Sequence, residues 1–542
     1  MTTQSNFPIP ADFQGFVLWD KMHCPRPVTA MTEDVFCLTG ITKGFTAAMD
    51  EFASPLGLAY QVFNTYAYAG FVPLDPGAEG MEARIERYKK TLGDVLPRMG
   101  ELWANEWLPS IRPQVDEAIK RDYKSLSDDA LVETFDKMVV EFTERYVAHG
   151  KINYVGVSAS WFADFYNETF SPDDPTEAYQ VLQGFPTRSL DAGRGLWKLS
   201  RAINNTATLN KLFDESDTKD LIGLLEGSDE GKAWLKDFNA YLDEFGWRSD
   251  VFEFADRTWR ENPIIPLNTL QGYMRIGEDG NPETKYLAAV KLREQLLAKA
   301  REKLAGDPAK LAEFNHHYDG AKHYLTITED HNYYIDQRGN AVMRLPMLEL
   351  GSRLAAKGSI ADANDVFHLN REDVKSGLKG TDHKALVASR KADLAEWAKI
   401  VPPPTIGEMP DAPPDPFVEF INKMFGVPPE PSLDPDVIKG IGASAGTVQG
   451  TVKVVHDLTE ASKLTPGDIM VCEMTMPPWT PLFSIAAAVV ADTGGVLSHC
   501  AIVSREYGMP CVVATLIGTN ALKDGMTVTV DGAQGVVRID KR

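Results

Sequence analysis

Eleven of the chain's 34 prolines fall between Pro402 and Pro435, in "IVPPPTIGEMPDAPPDPFVEFINKMFGVPPEPSLDPD". Proline fixes φ and carries no N–H, so this stretch is neither a long helix nor a central strand. It reads as a semi-stiff connector with one short helix at 417–424. Three segments follow: a first region of residues 1–400, a connector of 401–435 and a last region of 436–542.

Before the connector, apolar residues recur at helical spacing. In "SLSDDALVETFDKMVVEFTERYVAHG", Leu131, Phe135, Met138, Val139, Phe142 and Tyr146 share one face. Ser127 suits the N-cap, Asp128 and Asp129 the first turn, and Gly150 the helix end. "KYLAAVKLREQLLAKAREKLAG" and "MLELGSRLAAKG" read the same way. After the connector the period falls to two. "GTVQGTVKVV", "DIMVCE", "AAVVAD", "PCVVAT", "MTVTVDG" and "GVVRI" are short β-branched runs divided by Gly, Asp and Pro. Only "SHCAIVSREYG" looks helical there. The expected fold is multidomain: a mostly α-helical first region, then a compact β-rich domain with some helix.

A net charge of -22 argues against nucleic acid or an anionic membrane surface as the main partner. The five cysteines (Cys24, Cys37, Cys472, Cys500, Cys511) are few, odd in number and not at metal-ligand spacing, so no metal site is expected. They suit free thiols in a reducing compartment. "MTTQSNFPIPADF" lacks a basic segment followed by an apolar one, so no signal peptide is expected. The longest apolar run, "IAAAVVA", is far short of a membrane span. The expected location is cytoplasmic.

The chemistry concentrates in "TGGVLSHCAIVSREYGMPCVV". Gly494 and Gly495 permit a tight turn and close backbone approach. Ser498 is a good N-cap, Gly508 supplies the left-handed end, and Pro510 stops continuation. His499 then falls at the first helical position. Free N–H groups and the positive end of the helix dipole point at whatever its ring carries. Imidazole is a competent nucleophile at neutral pH, and a phosphoryl group on it is well placed there. A surface histidine at a capped helix start gives the same pattern, so spacing alone leaves both readings open.

"DTGGVLSHCAIVSREYGMPCVVAT" resembles the signature of the phosphohistidine swivelling domain of phosphoenolpyruvate-utilising enzymes. That family includes phosphoenolpyruvate synthase, pyruvate phosphate dikinase, rifampin phosphotransferase and phenylphosphate synthase. "GIGASAGTVQGTVKVV", "LTPGDIMVCEMTMPPWTPLF" and "LKDGMTVTVDGAQGVVRI" resemble its other segments. The resemblance implies a β/β/α swivelling domain, a phosphorylated His499, and phosphate binding around Gly494, Gly495, Ser498 and Arg505. Cys500 and Cys511 stand where the family usually has alanine, and each reads as a small packing residue.

The family loads its histidine from ATP, with Mg2+, on an ATP-grasp domain. Nothing in the chain resembles that domain, so a separate ATP-grasp subunit is the expected partner. "FVLWDKMHCPRPVTAM", "FGWRSDVFEFADRTWRENP" and "EDHNYYIDQRGNAVMRLPMLELGSRLAAKGSIADANDVFHLNRED" resemble acceptor regions of the family more loosely. Transfer to a hydroxyl needs a base near it and cations near the phosphoryl oxygens. His23 is the first base candidate and His331 the second. Arg248 and Arg344 are cation candidates. Asp250 either orients Arg248 or acts as base. Trp19 and Trp247 are expected to line the acceptor site, Trp247 standing where the family has histidine. Dense aromatics suit a small phenolic acceptor, although such clusters are more often core. The resemblance implies an ATP-dependent dikinase-type phosphotransferase acting on a phenol in aromatic catabolism. The alternatives are a non-aromatic or macrocyclic alcohol such as an antibiotic, and a non-catalytic regulatory module.

Overall fold

The computed structural model describes residues 7–9, 19–20, 24–249, 251–403, 405–407 and 416–542. Contacts divide the chain into two compact units. Unit 1 holds Met1–Val155, Val251–Arg257 and Tyr334–Pro413; unit 2 holds Gly156–Asp250, Thr258–Tyr333 and Pro414–Arg542. The region before the connector is mostly helical, and a mixed β-sheet follows it, as the periodicity predicts. No helix among the described residues is long and apolar enough to cross a membrane.

Unit 1 contains the Asp128–Val155 helix. Ser127 Oγ accepts from Ala130 N–H at 3.2 Å, as expected of a cap. The helix does not stop at Gly150. A Cβ there would lie 2.7 Å from that of Ala48 on the Thr42–Glu51 helix. The glycine therefore serves close helix packing, not termination. Unit 1 also holds a hairpin, Leu56–Phe63 against Tyr66–Pro73, which the aromatic run "YQVFNTYAYAGFVPL" did not announce. Its loop residues Asn64 and Thr65 have φ of 50° and 69°, the backbone hand that matches strand twist. Phe63, Tyr66 and Tyr68 pack there with Phe7 and Ile406.

Unit 2 joins helices to an eight-stranded sheet. The strand order is Val437–Lys439, Val536–Lys541, Thr527–Asp531, Thr447–Val454, Ile469–Cys472, Ala488–Ala491, Cys511–Val513 and Ile441–Ser444. Valines 452, 471, 490, 512, 528 and 530 form its buried centre. The sheet is parallel from Thr447–Val454 through Cys511–Val513 and antiparallel elsewhere. The His499–Tyr507 helix is the crossover between the parallel strands Ala488–Ala491 and Cys511–Val513. That topology puts the helix start beyond the carboxyl end of a strand, where open α/β sheets bind ligands.

The connector's short helix spans Pro416–Phe425. It packs on the Val157–Phe170 helix within unit 2. Phe420 is fully buried, edge-on to Tyr324 at 5.9 Å. Gly156 makes room, since a Cβ there would sit 2.4 Å from the Phe420 ring. Lys423 Nζ bonds Ser160 and Asp164, both at 2.7 Å. Phe420→Ala is expected to lower the unfolding free energy by about 3–5 kcal/mol, read from a denaturant titration.

Candidate active site

The helix start is built as the sequence implies. Ser498 Oγ accepts from Ala501 N–H at 3.4 Å, and Gly508 closes the helix at φ 63°. Gly494 turns the chain at φ 101°. Gly495 has a different task. Its N–H donates to Met424 O at 2.8 Å, and Leu497 N–H donates to Lys423 O at 2.9 Å. A Cβ on Gly495 would lie 2.3 Å from Lys423 O. The turn is thus sewn to the end of the connector helix, and the Gly495 N–H is spent on that contact. The N–H groups of His499 and Cys500 lie in the first turn without intrahelical acceptors, aimed where an anion would sit.

His499 is held by a residue that sequence reasoning did not single out. Its Nδ1 lies 3.2 Å from Glu329 Oε1, with the histidine side chain 10% exposed and the glutamate 0%. Glu329 Oε2 accepts from Ser189 Oγ at 2.8 Å. Burial pushes the Glu329 carboxyl up, but His499, Ser189 and His331 together carry it below its ordinary value. Glu329 is therefore an ionised, buried acceptor. In the neutral imidazole it fixes the proton on Nδ1 and leaves the lone pair on Nε2. Thr480 Oγ lies 3.4 Å from Nε2, but its own proton goes to Pro477 O at 2.8 Å. Nε2 is left as an uncommitted nucleophile.

The other expected residues fall in two groups: His331 and Arg248 interact electrostatically with Glu329, and the rest make contacts of their own. Arg505 is buried; Nη1 donates to Ala443 O at 2.8 Å and the guanidinium lies over Tyr179, so neither contact involves His499. Trp247 Nε1 donates to Asp243 O at 3.0 Å, and its ring carries Arg260. Arg248 is buried over the Phe245 and Trp259 rings. Burial lowers its pKa, and among the described residues its Nε and Nη1 find no hydrogen-bond partner. That makes Arg248 the cation candidate best suited to meet an anion. His331 is buried, with Nδ1 3.2 Å from Ile327 O. Arg344, in unit 1, donates to Phe254 O and stacks on Phe367. His23 and Asp250 lie outside the described residues. Trp19 is described only as backbone, paired with Ile406.

Unit 1 contains a cavity of about 400 Å³. Cys24, Val28, Phe252 and Leu394 give it an apolar lining, and His368 lines it as well. Burial, then the Lys391 charge, holds the His368 pKa below its ordinary value, and its Nδ1 has no hydrogen-bond partner among the described residues. The ring is thus neutral.

Two further acids surround Glu329 electrostatically. Asp330 accepts from Arg188 N–H at 2.8 Å and is pushed up to about 6 by burial. Glu506, on the His499 helix, is pushed up to about 8 by burial and by Glu329.

Residues 464–535 match the mobile domain of PEP-utilising enzymes. Residues 149–329 match the fourth domain of rifampicin phosphotransferase. The chain therefore holds both domains, and its relatives are rifampicin phosphotransferases and related phosphotransferases. It is 29% identical to a chondramide synthase of Chondromyces crocatus, over 99% of this chain and 14% of that protein. An uncharacterised phosphotransferase of Bacillus subtilis is 28% identical, over 98% of this chain and 62% of its own length. A rifampicin phosphotransferase of Streptomyces sviceus is 27% identical, over 80% and 50% respectively. The chain thus spans less than two thirds of each of these relatives.

Glu506 makes stability depend on pH. Its folded pKa is raised, so the contribution is full below the ordinary value of 4.5 and is lost as pH rises to about 8. Glu506→Gln, which mimics the protonated acid, is expected to leave Tm unchanged at pH 4.5 and raise it at pH 8. Equal melting curves at both pH values would contradict the assignment.

Proposed function

We propose that this chain is the phosphohistidine-bearing component of a phosphotransferase. One observation carries the reading: a histidine at an anion-ready helix start, its Nδ1 held by a buried carboxylate, within a domain of the mobile PEP-utilising type. His499 Nε2 takes a phosphoryl group that originates in ATP and passes it to an acceptor hydroxyl. The P–N bond breaks as the P–O bond forms, and the hydroxyl proton leaves to a base. The nucleotide, with its Mg2+, is a substrate of an ATP-grasp partner, which releases AMP and phosphate. Ionised Glu329 selects the Nδ1–H tautomer, so that the neutral imidazole presents Nε2 for attack, and stabilises the ring as charge develops. Positioning and charge neutralisation supply most of the rest.

The acceptor in this reading is a small phenol, and the setting is aromatic catabolism in the cytoplasm. The unit 1 cavity supports a small apolar acceptor, with neutral His368 able to take a hydroxyl proton. A second reading, a macrocyclic alcohol such as an antibiotic, is favoured by the relative named rifampicin phosphotransferase.

The test uses the full chain, an ATP-grasp partner, Mg2+ and ATP labelled on the transferred phosphoryl. Label is expected on His499 and then on a phenol chosen from an acceptor panel that includes a macrocyclic alcohol. His499→Ala should carry none. A chain that takes no label from any partner would be a non-catalytic swivelling module. Glu329→Gln keeps the side-chain shape and removes the charge. It should slow phosphohistidine formation by about 10²- to 10⁴-fold, measured by rapid-quench labelling.

A further inference from the structure

The sheet domain holds two cysteines that face each other. Cys500 Sγ, beside His499 at the helix start, lies 3.6 Å from Cys511 Sγ at the head of the Cys511–Val513 strand. Both are free thiols and both are buried. Their surroundings are unequal. Burial opposes ionising Cys511, but the Cys500 S–H, the Ser504 hydroxyl and the Arg505 charge hold its pKa below that of an ordinary thiol. The bond to Cys511, then burial, pushes Cys500 the other way. Arg505 is available for this role. Among the described residues its Nη1 donates to Ala443 O, while Nε and Nη2 have no hydrogen-bond partner. A buried guanidinium with free donors favours a thiolate next to it. One thiol is thus set up to attack and its neighbour to resolve.

We propose that Cys500 and Cys511 form a redox-modification site, closed to a disulfide by a hydroperoxide. The Cys511 thiolate attacks the peroxide oxygen and breaks the O–O bond, giving a sulfenic acid and hydroxide. Cys500 then attacks that sulfur, the S–S bond forms, and water leaves. Overall, two thiols and hydrogen peroxide give a disulfide and two waters. Each sulfur loses one electron, and the two peroxide oxygens are reduced. The resolving thiol at 3.6 Å intercepts the sulfenic acid before further oxidation. Peroxide is close to water in size and reaches buried thiols through local opening. A transient bond of this kind suits a reducing compartment, where stable disulfides are rare.

The disulfide has a consequence at the neighbouring residue, which rests on the carrier role proposed for His499. Drawing the two sulfurs to bonding distance pulls Cys500 toward the strand. The adjacent His499 shifts with it and its contact with Glu329 is disturbed. A displacement of about 1 Å at a reacting group costs on the order of 10²-fold in rate.

Hydrogen peroxide titrated onto the full chain, followed by thiol blocking and peptide mass mapping, decides the matter. The expected product is one linked Cys500–Cys511 peptide pair, lighter by two hydrogens and restored by dithiothreitol. Cys500→Ala and Cys511→Ala chains should each lack it. Three results would overturn the proposal: sulfinic or sulfonic acid at Cys511 without a link, a link through Cys472, or unmodified thiols at peroxide levels that oxidise a free thiol standard. Phosphohistidine labelling of the oxidised and reduced chains reads the consequence. An unchanged rate in the linked chain overturns it. Absence of label in both samples counts against the carrier reading and leaves the mapping result standing.

Discussion

The contact between Glu329 and His499 is the one on which the rest of this site depends. A carboxylate with no exposed surface exists in a folded protein only if its charge is answered. The imidazole on one oxygen and the Ser189 hydroxyl on the other answer it, with the charge of His331 adding to them. Removing one partner from such a buried pair typically costs about 3–5 kcal/mol, because the remaining charge is stranded. The same contact selects the imidazole tautomer. A single interaction therefore seats the His499 helix and orients its imidazole.

Parts of this arrangement were legible in the sequence. The strands of the last region announced themselves through β-branched residues at period two, cut by Gly, Asp and Pro. The helix at His499 was bounded by Ser498 and Gly508, each with a local physical reason to be there. Glu329 was not legible, because it comes from 170 residues away and its stretch carries no spacing that marks a carboxylate as special. Arg505, which the resemblance gives to phosphate, meets a carbonyl and a tyrosine ring in the fold. Gly150 misled because a helix-ending glycine and a glycine at a close helix crossing look alike in one dimension. The 56–73 hairpin was hidden by aromatics that fit a helical core equally well.

The helix start at His499 also concentrates unlike chemistries in consecutive residues. Ser498 shapes the backbone, His499 presents a nitrogen nucleophile, and Cys500 presents sulfur to a second thiol. Their side chains leave the backbone in different directions, so the imidazole meets Glu329 while the thiol meets Cys511. What couples them is the backbone they share.

The stitching of the glycine turn to the connector helix has a mechanical meaning. That helix is fastened on two sides. Toward the neighbouring helix it has the Phe420 ring, the close approach at Gly156 and the Lys423 ion pair. Toward the glycine turn it has the backbone bonds from Gly495 and Leu497. The turn that carries His499 is thus tied through Gly495 and Leu497 to a helix that is itself anchored by Phe420 and Lys423, so the backbone before the histidine takes its position from the end of the proline-rich connector.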